Sequence, residues 1–206
     1  VIAARLSAWL AQAVGHVPMP RPLHEDNPPP PSLPGCSAHC GAAASPPAEV
    51  VGRLNRMMLA DAVTDSYFTM IYLEVNTLTG EGVLVQAGHP NPIRQAVDGT
   101  VQAIGQGGMP VGLLEDAEYN PIRFRLHPGE RLFIASDGLI EAENPQGDLL
   151  GEAGLMASMQ INAQLSGQAF LESLCWSVSR YTEGRQDDDI SAVLIEFKTD
   201  LIEPEG

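Results

Sequence analysis

From Tyr67 onward the apolar residues stop recurring at helical spacing and gather into short β-branched and aromatic runs, at 67–75, 82–87, 93–97, 100–104, 122–126 and 131–136. Each run reads as a strand. The connections carry turn chemistry: Asp98-Gly99 is a two-residue hairpin signal, and 76–80 and His127-Pro128-Gly129 read as longer turns. Strands joined this way run mostly antiparallel. Before them, Val50, Val51, Leu54, Met57 and Met58 make one helical stripe ending near Ala60. It opens on Ser45-Pro46-Pro47, where serine can cap and proline suits a first turn. After the strands come helical patterns at 151–160 and 166–181, the second with Phe170, Leu171, Leu174, Cys175 and Val178 on one face, and a last strand at 190–197. This order predicts an α+β fold, a layered β-sandwich of mainly antiparallel strands flanked by helices.

At the start of the chain, Val1, Ile2, Leu6, Trp9, Leu10, Ala13 and Val14 fall at helical spacing, which predicts an amphipathic core helix. Arg5, the stretch 6–14 and Ala11-Gln12-Ala13 imitate a signal peptide, but there is no initiator Met and no basic cluster. The chain is therefore read as beginning inside a helix, cut from something longer. Residues 17–47 hold most of the prolines, including Pro28-Pro29-Pro30-Pro31, and read as a Pro-rich loop or insertion. The four prolines could form a polyproline II ligand, yet no flanking specificity signal accompanies them. With 206 residues, 44% of them apolar, one domain spanning 1–206 and lacking its N-terminal part accounts for the chain.

Charge narrows the function. A formal net charge of −15 offers no general field for nucleic-acid phosphates or anionic lipid. No apolar run approaches the roughly 20 residues a spanning helix needs, so no membrane role is expected. Three cysteines, Cys36, Cys40 and Cys175, form no closed set of disulfides, and a reducing cytoplasm is the expected compartment. Cys175 lies on a helix's apolar face and reads as a core residue.

The acids are not spread evenly. In Arg131-Leu132-Phe133-Ile134-Ala135-Ser136-Asp137-Gly138 an apolar strand ends abruptly in an acid and a glycine. A carboxylate at a strand end sits on a rigid element and faces open space, as a hard cation such as Mg²⁺ or Mn²⁺ requires. Gly138 permits a tight exit and close approach of backbone or water. Asp-Gly alone is more often a plain turn. A second cluster, Asp187-Asp188-Asp189, directly precedes the final strand, where three adjacent acids repel one another unless solvated or metal-bound. Two such clusters, each at the mouth of a core strand, favour a shared metal site over two solvated loops.

Other chemistry-bearing residues are weaker. Cys36-Ser37-Ala38-His39-Cys40, with His24 nearby, offers zinc-ligand types but no second pair at suitable spacing. His89 in Ala87-Gly88-His89-Pro90 could serve as a general acid, but no flanking acid or nucleophile partners it, and a turn histidine satisfying backbone groups is preferred. The same holds for His16, His24 and His127. The glycine-rich 105–108 is not followed by Lys-Ser or Lys-Thr and reads as a flexible connection near the active-site side rather than a phosphate loop.

In order and spacing, several segments together resemble the metal-dependent type 2C (PPM) phosphatases, specifically their bacterial SpoIIE-type branch. They are the strand 67–75, Gln86-Ala87-Gly88-His89-Pro90, Gly108-Met109-Pro110-Val111-Gly112, the run 126–141 with Ser136-Asp137-Gly138-Leu139-Ile140-Glu141, and Asp188-Asp189-Ile190-Ser191. The resemblance covers roughly 48–197, and residues 1–14 look like the helix that precedes them. It implies a β-sandwich flanked by helices with a two-metal site, usually Mn²⁺ or Mg²⁺, whose bridging water attacks the phosphorus of a phosphoserine or phosphothreonine. Two cations roughly 3.5 to 4 Å apart lower that water's pKa and neutralise charge on the phosphoryl group. Carried over by position, Asp137 and Asp188 match the family's metal-ligating acids. Asp189 then falls in the second shell, orienting Asp188 or bound water, with Gly138 the permissive neighbour.

One part of the pattern does not match. The family's remaining ligands come from an N-terminal strand and an Asp-Val-x-Gly-His-Gly type motif before the first core helix, and this chain contains no such motif. The expectation is that it belongs to the parent protein, and that this chain alone binds Mn²⁺ weakly and has little phosphatase activity. The resemblance further implies a phosphorylated regulatory partner protein, usually a small anti-sigma-factor antagonist, and an upstream sensory or receiver domain that could act through the first helix. Two other readings compete: a non-catalytic phosphatase-fold binding module, against which the retention of Asp137 and Asp188 argues, and a hydrolase of small phosphoesters.

Overall fold

The computed structural model describes residues 45–60, 66–185 and 189–198, together with the backbone of 5–14. In chain order the elements are β1 (Arg5–Val14), α1 (Pro47–Ala60), β2 (Tyr67–Asn76), β3 (Glu81–Ala87), β4 (Ile93–Gln95), β5 (Val101–Ala103), β6 (Pro121–Arg125), β7 (Arg131–Ala135), a 3₁₀ turn (Asp137–Leu139), α2 (Gly151–Ile161), α3 (Gly167–Tyr181) and β8 (Ala192–Glu196). The strands form two four-stranded sheets, one in the order β1-β2-β3-β6 and the other β5-β4-β7-β8. All pairings within them are antiparallel.

Three apolar clusters stack these elements into layers. Ile71, Leu73 and Val75 of β2 and Leu84 of β3 meet Leu132 and Ile134 of β7 in the sandwich interior. The alternate residues of β7, Phe133 and Ala135, face the other way, onto Leu155 and Met159 of α2 and Phe170, Leu174 and Val178 of α3. On the outside of the first sheet, Met70, Val85 and Ala87 pack against Val51 of α1. A strand covered on both faces needs apolar residues at every position, and β7 is buried throughout. Burying a Leu or Phe side chain contributes roughly 1.5–3 kcal/mol, so these three clusters dominate the fold's stability.

Buried polar groups are used as ties. The Arg131 guanidinium donates to Gln95 Oε1 (2.7 Å) and to the carbonyls of Leu165 (2.6 Å) and Ala163 (3.1 Å), and lies 3.8 Å over the Phe170 ring. It therefore pins the α2–α3 connection to the sheet. Asn55 does the same for α1, donating to Leu114 C=O at 2.8 Å and accepting the Gly112 N–H at 2.7 Å.

Four sequence expectations need correction. Residues 5–14 form β1, paired over ten positions with β2, and not a helix. Leu6, Ala8 and Leu10 also recur at period two, so the stretch satisfies both patterns, and the open edge of β2 supplies backbone partners that decide between them. The turn at Asp98-Gly99 has three residues rather than two: Gly99 N–H closes a turn on Ala96 C=O, and Ala96 N–H bonds Thr100 C=O. Gly99 takes φ 87°, the left-handed bulge position of such a loop. Cys175 is exposed, because the buried stripe of α3 is Phe170, Leu174 and Val178 and Cys175 falls beside it. At the start of α1 the first bonds go to Pro46 C=O, which makes Pro46 the cap in place of Ser45, with Pro47 in the first turn. The Pro-rich expectation for 17–47 lies almost wholly outside the described residues.

Candidate active site

β7 and β8 pair in the register Ala135↔Ala192, so the exit of β7 and the entry to β8 lie at the same end of one sheet. That end carries Asp137 and Asp189. Asp137 opens the 3₁₀ turn, and the buried Leu139 anchors the turn in the core below it. The buried Ser136 fastens the two segments together. Its N–H donates to Ser191 C=O at 2.9 Å, its Oγ accepts the Ser191 N–H at 3.0 Å, and its hydroxyl donates to Asp189 C=O at 3.3 Å. Asp137 therefore leaves the sheet one residue beyond a seam that also holds Asp189.

Asp188, the other expected ligand, and its neighbour Asp187 lie outside the described residues. Gly138 is buried within the 3₁₀ turn and does not use left-handed backbone. Among the described residues no three His, Cys, Asp or Glu side chains gather closely enough to hold a metal ion. The donor that is described, a carboxylate at a rigid strand end, suits a hard divalent cation in kind, though one carboxylate does not make a complete ligand set. The zinc-type cluster at Cys36 to Cys40 and the histidines His16 and His24 also lie outside the described residues. His127 is largely exposed and pairs with Glu130 at 3.2 Å, away from this end of the sheet.

His89 lies in the turn between β3 and β4, and the charge of Asp137 acts on its ring. The ring is 2% exposed. Its Nδ1 lies 3.1 Å from Pro90 C=O. A carbonyl only accepts, so Nδ1 carries the hydrogen and Nε2 is left as a bare acceptor. Nε2 is buried and has no hydrogen-bond partner among the described residues. Burial pushes the ring below its ordinary 6.5, while the Pro90 carbonyl and the charge of Asp137 work in the opposite direction. The histidine does satisfy a backbone group, as the sequence suggests, but only through one nitrogen.

Two further residues organise this region and escaped the sequence reading. Gln86 donates to His89 C=O (2.6 Å) and Asn91 Oδ1 (3.0 Å), while its Oε1 accepts the N–H groups of Gln106 (3.0 Å) and Gly107 (2.9 Å). The glycine-rich 105–108 is thus tied to the histidine turn rather than left loose. Gly108, at φ 146°, lies so close that an added Cβ would stand 2.5 Å from Gln86 C=O. The usable signal for Gln86 is a polar residue in an otherwise apolar strand. The signal for Ser136 is weaker, since it reads only as the residue before Asp137. A cavity of about 120 Å³ opens beside the site, lined by Pro90, Asn91, Ser136, Ile140 and Glu152 over Phe133.

Residues 36–198 match the family described as Stage II sporulation protein E (SpoIIE). Phosphoserine phosphatase RsbU of Bacillus subtilis is 23% identical over 153 residues, 74% of this chain and 45% of RsbU. Phosphoserine phosphatase RsbP of the same organism is 28% identical over 93 residues, 45% of this chain and 23% of RsbP. The chain thus spans less than half the length of either relative. Among solved structures, the SiaA-PP2C domain of Pseudomonas aeruginosa superposes with a TM-score of 0.65 at 19% identity, covering 74% of this chain and 61% of that one. At those identities the likeness speaks for the fold.

Proposed function

The chain belongs to the SpoIIE family, and from that membership we propose that it is the greater part of a metal-dependent protein serine/threonine phosphatase acting on a phosphorylated regulatory protein in bacterial signalling. The observation that carries the reading is the Ser136 seam, which sets Asp137 beside the segment entering β8 at one end of the sandwich. Asp137 and Asp189, remote in sequence, lie at the same end of the sheet because β7 and β8 are antiparallel neighbours. Both named relatives are phosphoserine phosphatases, which supports the reaction class.

In this reading Asp137 and Asp188 hold Mn²⁺ or Mg²⁺, and Asp189 orients Asp188 or bound water. Bound there, the divalent ions would supply an activated water and charge neutralisation for hydrolysis of a phosphomonoester. The residues of this chain contribute position. The buried β7 strand keeps Asp137 from moving, the 3₁₀ turn directs it out of the sheet, and Ser136 keeps the second motif in register. The partner is proposed to be a phosphorylated anti-sigma-factor antagonist, and an upstream sensory or receiver domain is proposed to control the site.

The test compares this chain with one extended upstream to include an Asp-x-x-Gly-His-Gly motif, using a phosphoserine protein and Mn²⁺. Rapid phosphate release is expected from the extended chain, weak or no release from this one, and loss of at least about 100-fold on Asp137→Asn. An extended chain that is inactive yet binds the phosphoprotein would favour the non-catalytic binding module. Equal turnover on nucleotides and on phosphoproteins would favour a small-phosphoester hydrolase.

A further inference from the structure

We propose that the cavity beside Ser136 is a specificity pocket for the phosphoprotein substrate, receiving an aliphatic side chain that lies close in sequence to its phosphoserine. The inference rests on the phosphatase reading and deepens it. The cavity, of about 120 Å³, has a floor of Ile93, Phe133, Ala135 and Leu155, all buried members of one apolar cluster. A cavity of about 150 Å³ lined by Leu, Ile and Phe stays dry and takes up benzene, so a slightly smaller one suits an aliphatic group of about four carbons. Apolar surface on both sides leaves water when such a group enters.

The mouth decides what carries that group. It is bordered by the half-buried Asn91 and the exposed Glu152. Asn91 Oδ1 accepts from Gln86 Nε2 at 3.0 Å, which leaves the Asn91 NH₂ group as a donor. The Glu152 carboxylate is an acceptor and makes no hydrogen bond or ion pair among the described residues. One donor and one acceptor at the rim of an apolar slot match the C=O and N–H of a peptide unit, and the acid repels a fatty acid or other free anion. The occupant is therefore a residue of a protein segment. The walls are preformed. Gln86 holds Asn91, while Gly151 N–H bonds Ile140 C=O at 2.8 Å and Leu150 N–H bonds Ala142 C=O at 2.8 Å, which fixes the start of α2 to the chain leaving β7. Ser136 links the pocket to the chemistry: it lines the cavity and directly precedes Asp137, so a side chain seated here lies beside the proposed site.

The test uses the chain extended upstream, Mn²⁺ and a set of phosphoserine peptides in which each neighbouring position on either side of the phosphoserine is in turn Leu or Ala. One position is expected at which Leu is favoured over Ala by at least about 10-fold in kcat/KM. Leu155→Phe, which fills the pocket from α2, is expected to abolish that preference while leaving hydrolysis of the Ala peptides and of p-nitrophenyl phosphate unchanged. Urea unfolding establishes that the variant is folded. No preferred position, or a preference that survives Leu155→Phe, overturns the proposal and reduces the cavity to an empty apolar void. Should Leu155→Phe fail to fold, NMR in Mg²⁺ of the extended chain carrying Asp137→Asn decides it: contacts between the Leu methyls of the peptide and the Ala135 methyl are expected, and their absence overturns it. If the extended chain hydrolyses no phosphoserine peptide, the functional reading falls and this inference with it; if it hydrolyses all of them alike, only this inference falls.

Discussion

Glu130 shows how a single side chain can be held charged in a nearly buried place. Burial works to raise its pKa, but the two-pronged Arg94 contact at 2.6 and 3.1 Å, the His127 N–H at 2.8 Å and the His127 ring outweigh it and hold the carboxyl below its ordinary 4.5. A depressed folded-state pKa means the unfolded chain takes up protons first. Its contribution to stability is therefore complete above the ordinary value and is lost as pH falls through the lower folded value. Glu130→Gln is expected to flatten the acid limb of a melting-temperature profile below about pH 4.5. An unchanged acid limb would show that other carboxylates control it. Arg131 makes the opposite demand, since it donates to three buried or half-buried acceptors. Arg131→Met strands those acceptors, and a loss of about 3 kcal/mol is expected in urea unfolding. Neither role is visible along the chain, where Glu130-Arg131 reads only as a charged pair opening a strand.

The turns and helices follow their local chemistry closely, and the exceptions occur where a second element intervenes. Gly80 ends the β2–β3 turn at φ 70°, and an added Cβ would meet Leu126 C=O at 2.0 Å. Gly80→Ala is expected to cost at least about 2 kcal/mol, from left-handed backbone and a displaced carbonyl together, read as a shift in the urea midpoint. α1 is marked by its stripe of Val50, Val51, Leu54 and Met58, but Asn55 within it is buried because it bonds the 112–114 backbone. Asn55→Ala should therefore destabilise by about 2 kcal/mol, more than an exposed helical Asn→Ala, and should speed hydrogen exchange at Gly112. A neutral effect would mean the 112–114 segment finds other partners. The strand at 5–14 is the clearest failure of local reading, because its apolar residues fit both a helix and a strand. The partner edge on β2, about 60 residues away, decides between them.

At the level of the complete sandwich, a net charge of −15 is spread over a fold whose candidate site is itself acidic. Self-repulsion of this kind is relieved by screening. Raising NaCl from about 0.01 to about 1 M shortens the Debye length from about 30 to about 3 Å and is expected to raise the melting temperature. A fall would show that ion pairs such as Lys198–Glu196 outweigh the repulsion. Apart from β1, the layered architecture was legible from period: strands at period two, helices at 3.6, and β7 apolar on both faces because it lies between the other sheet and α2–α3. Asp137 was legible as well, since a carboxylate ending an apolar strand is a local pattern. Its relation to the β8 motif could be inferred only from both clusters standing at the mouths of core strands, not read from a local pattern. That nearness comes from antiparallel pairing across more than 50 residues, and a linear pattern carries no information about which strands become neighbours. Ala87-Gly88-His89-Pro90 announces a turn, but only the tertiary structure buries its ring and leaves Nε2 without a hydrogen-bond partner among the described residues.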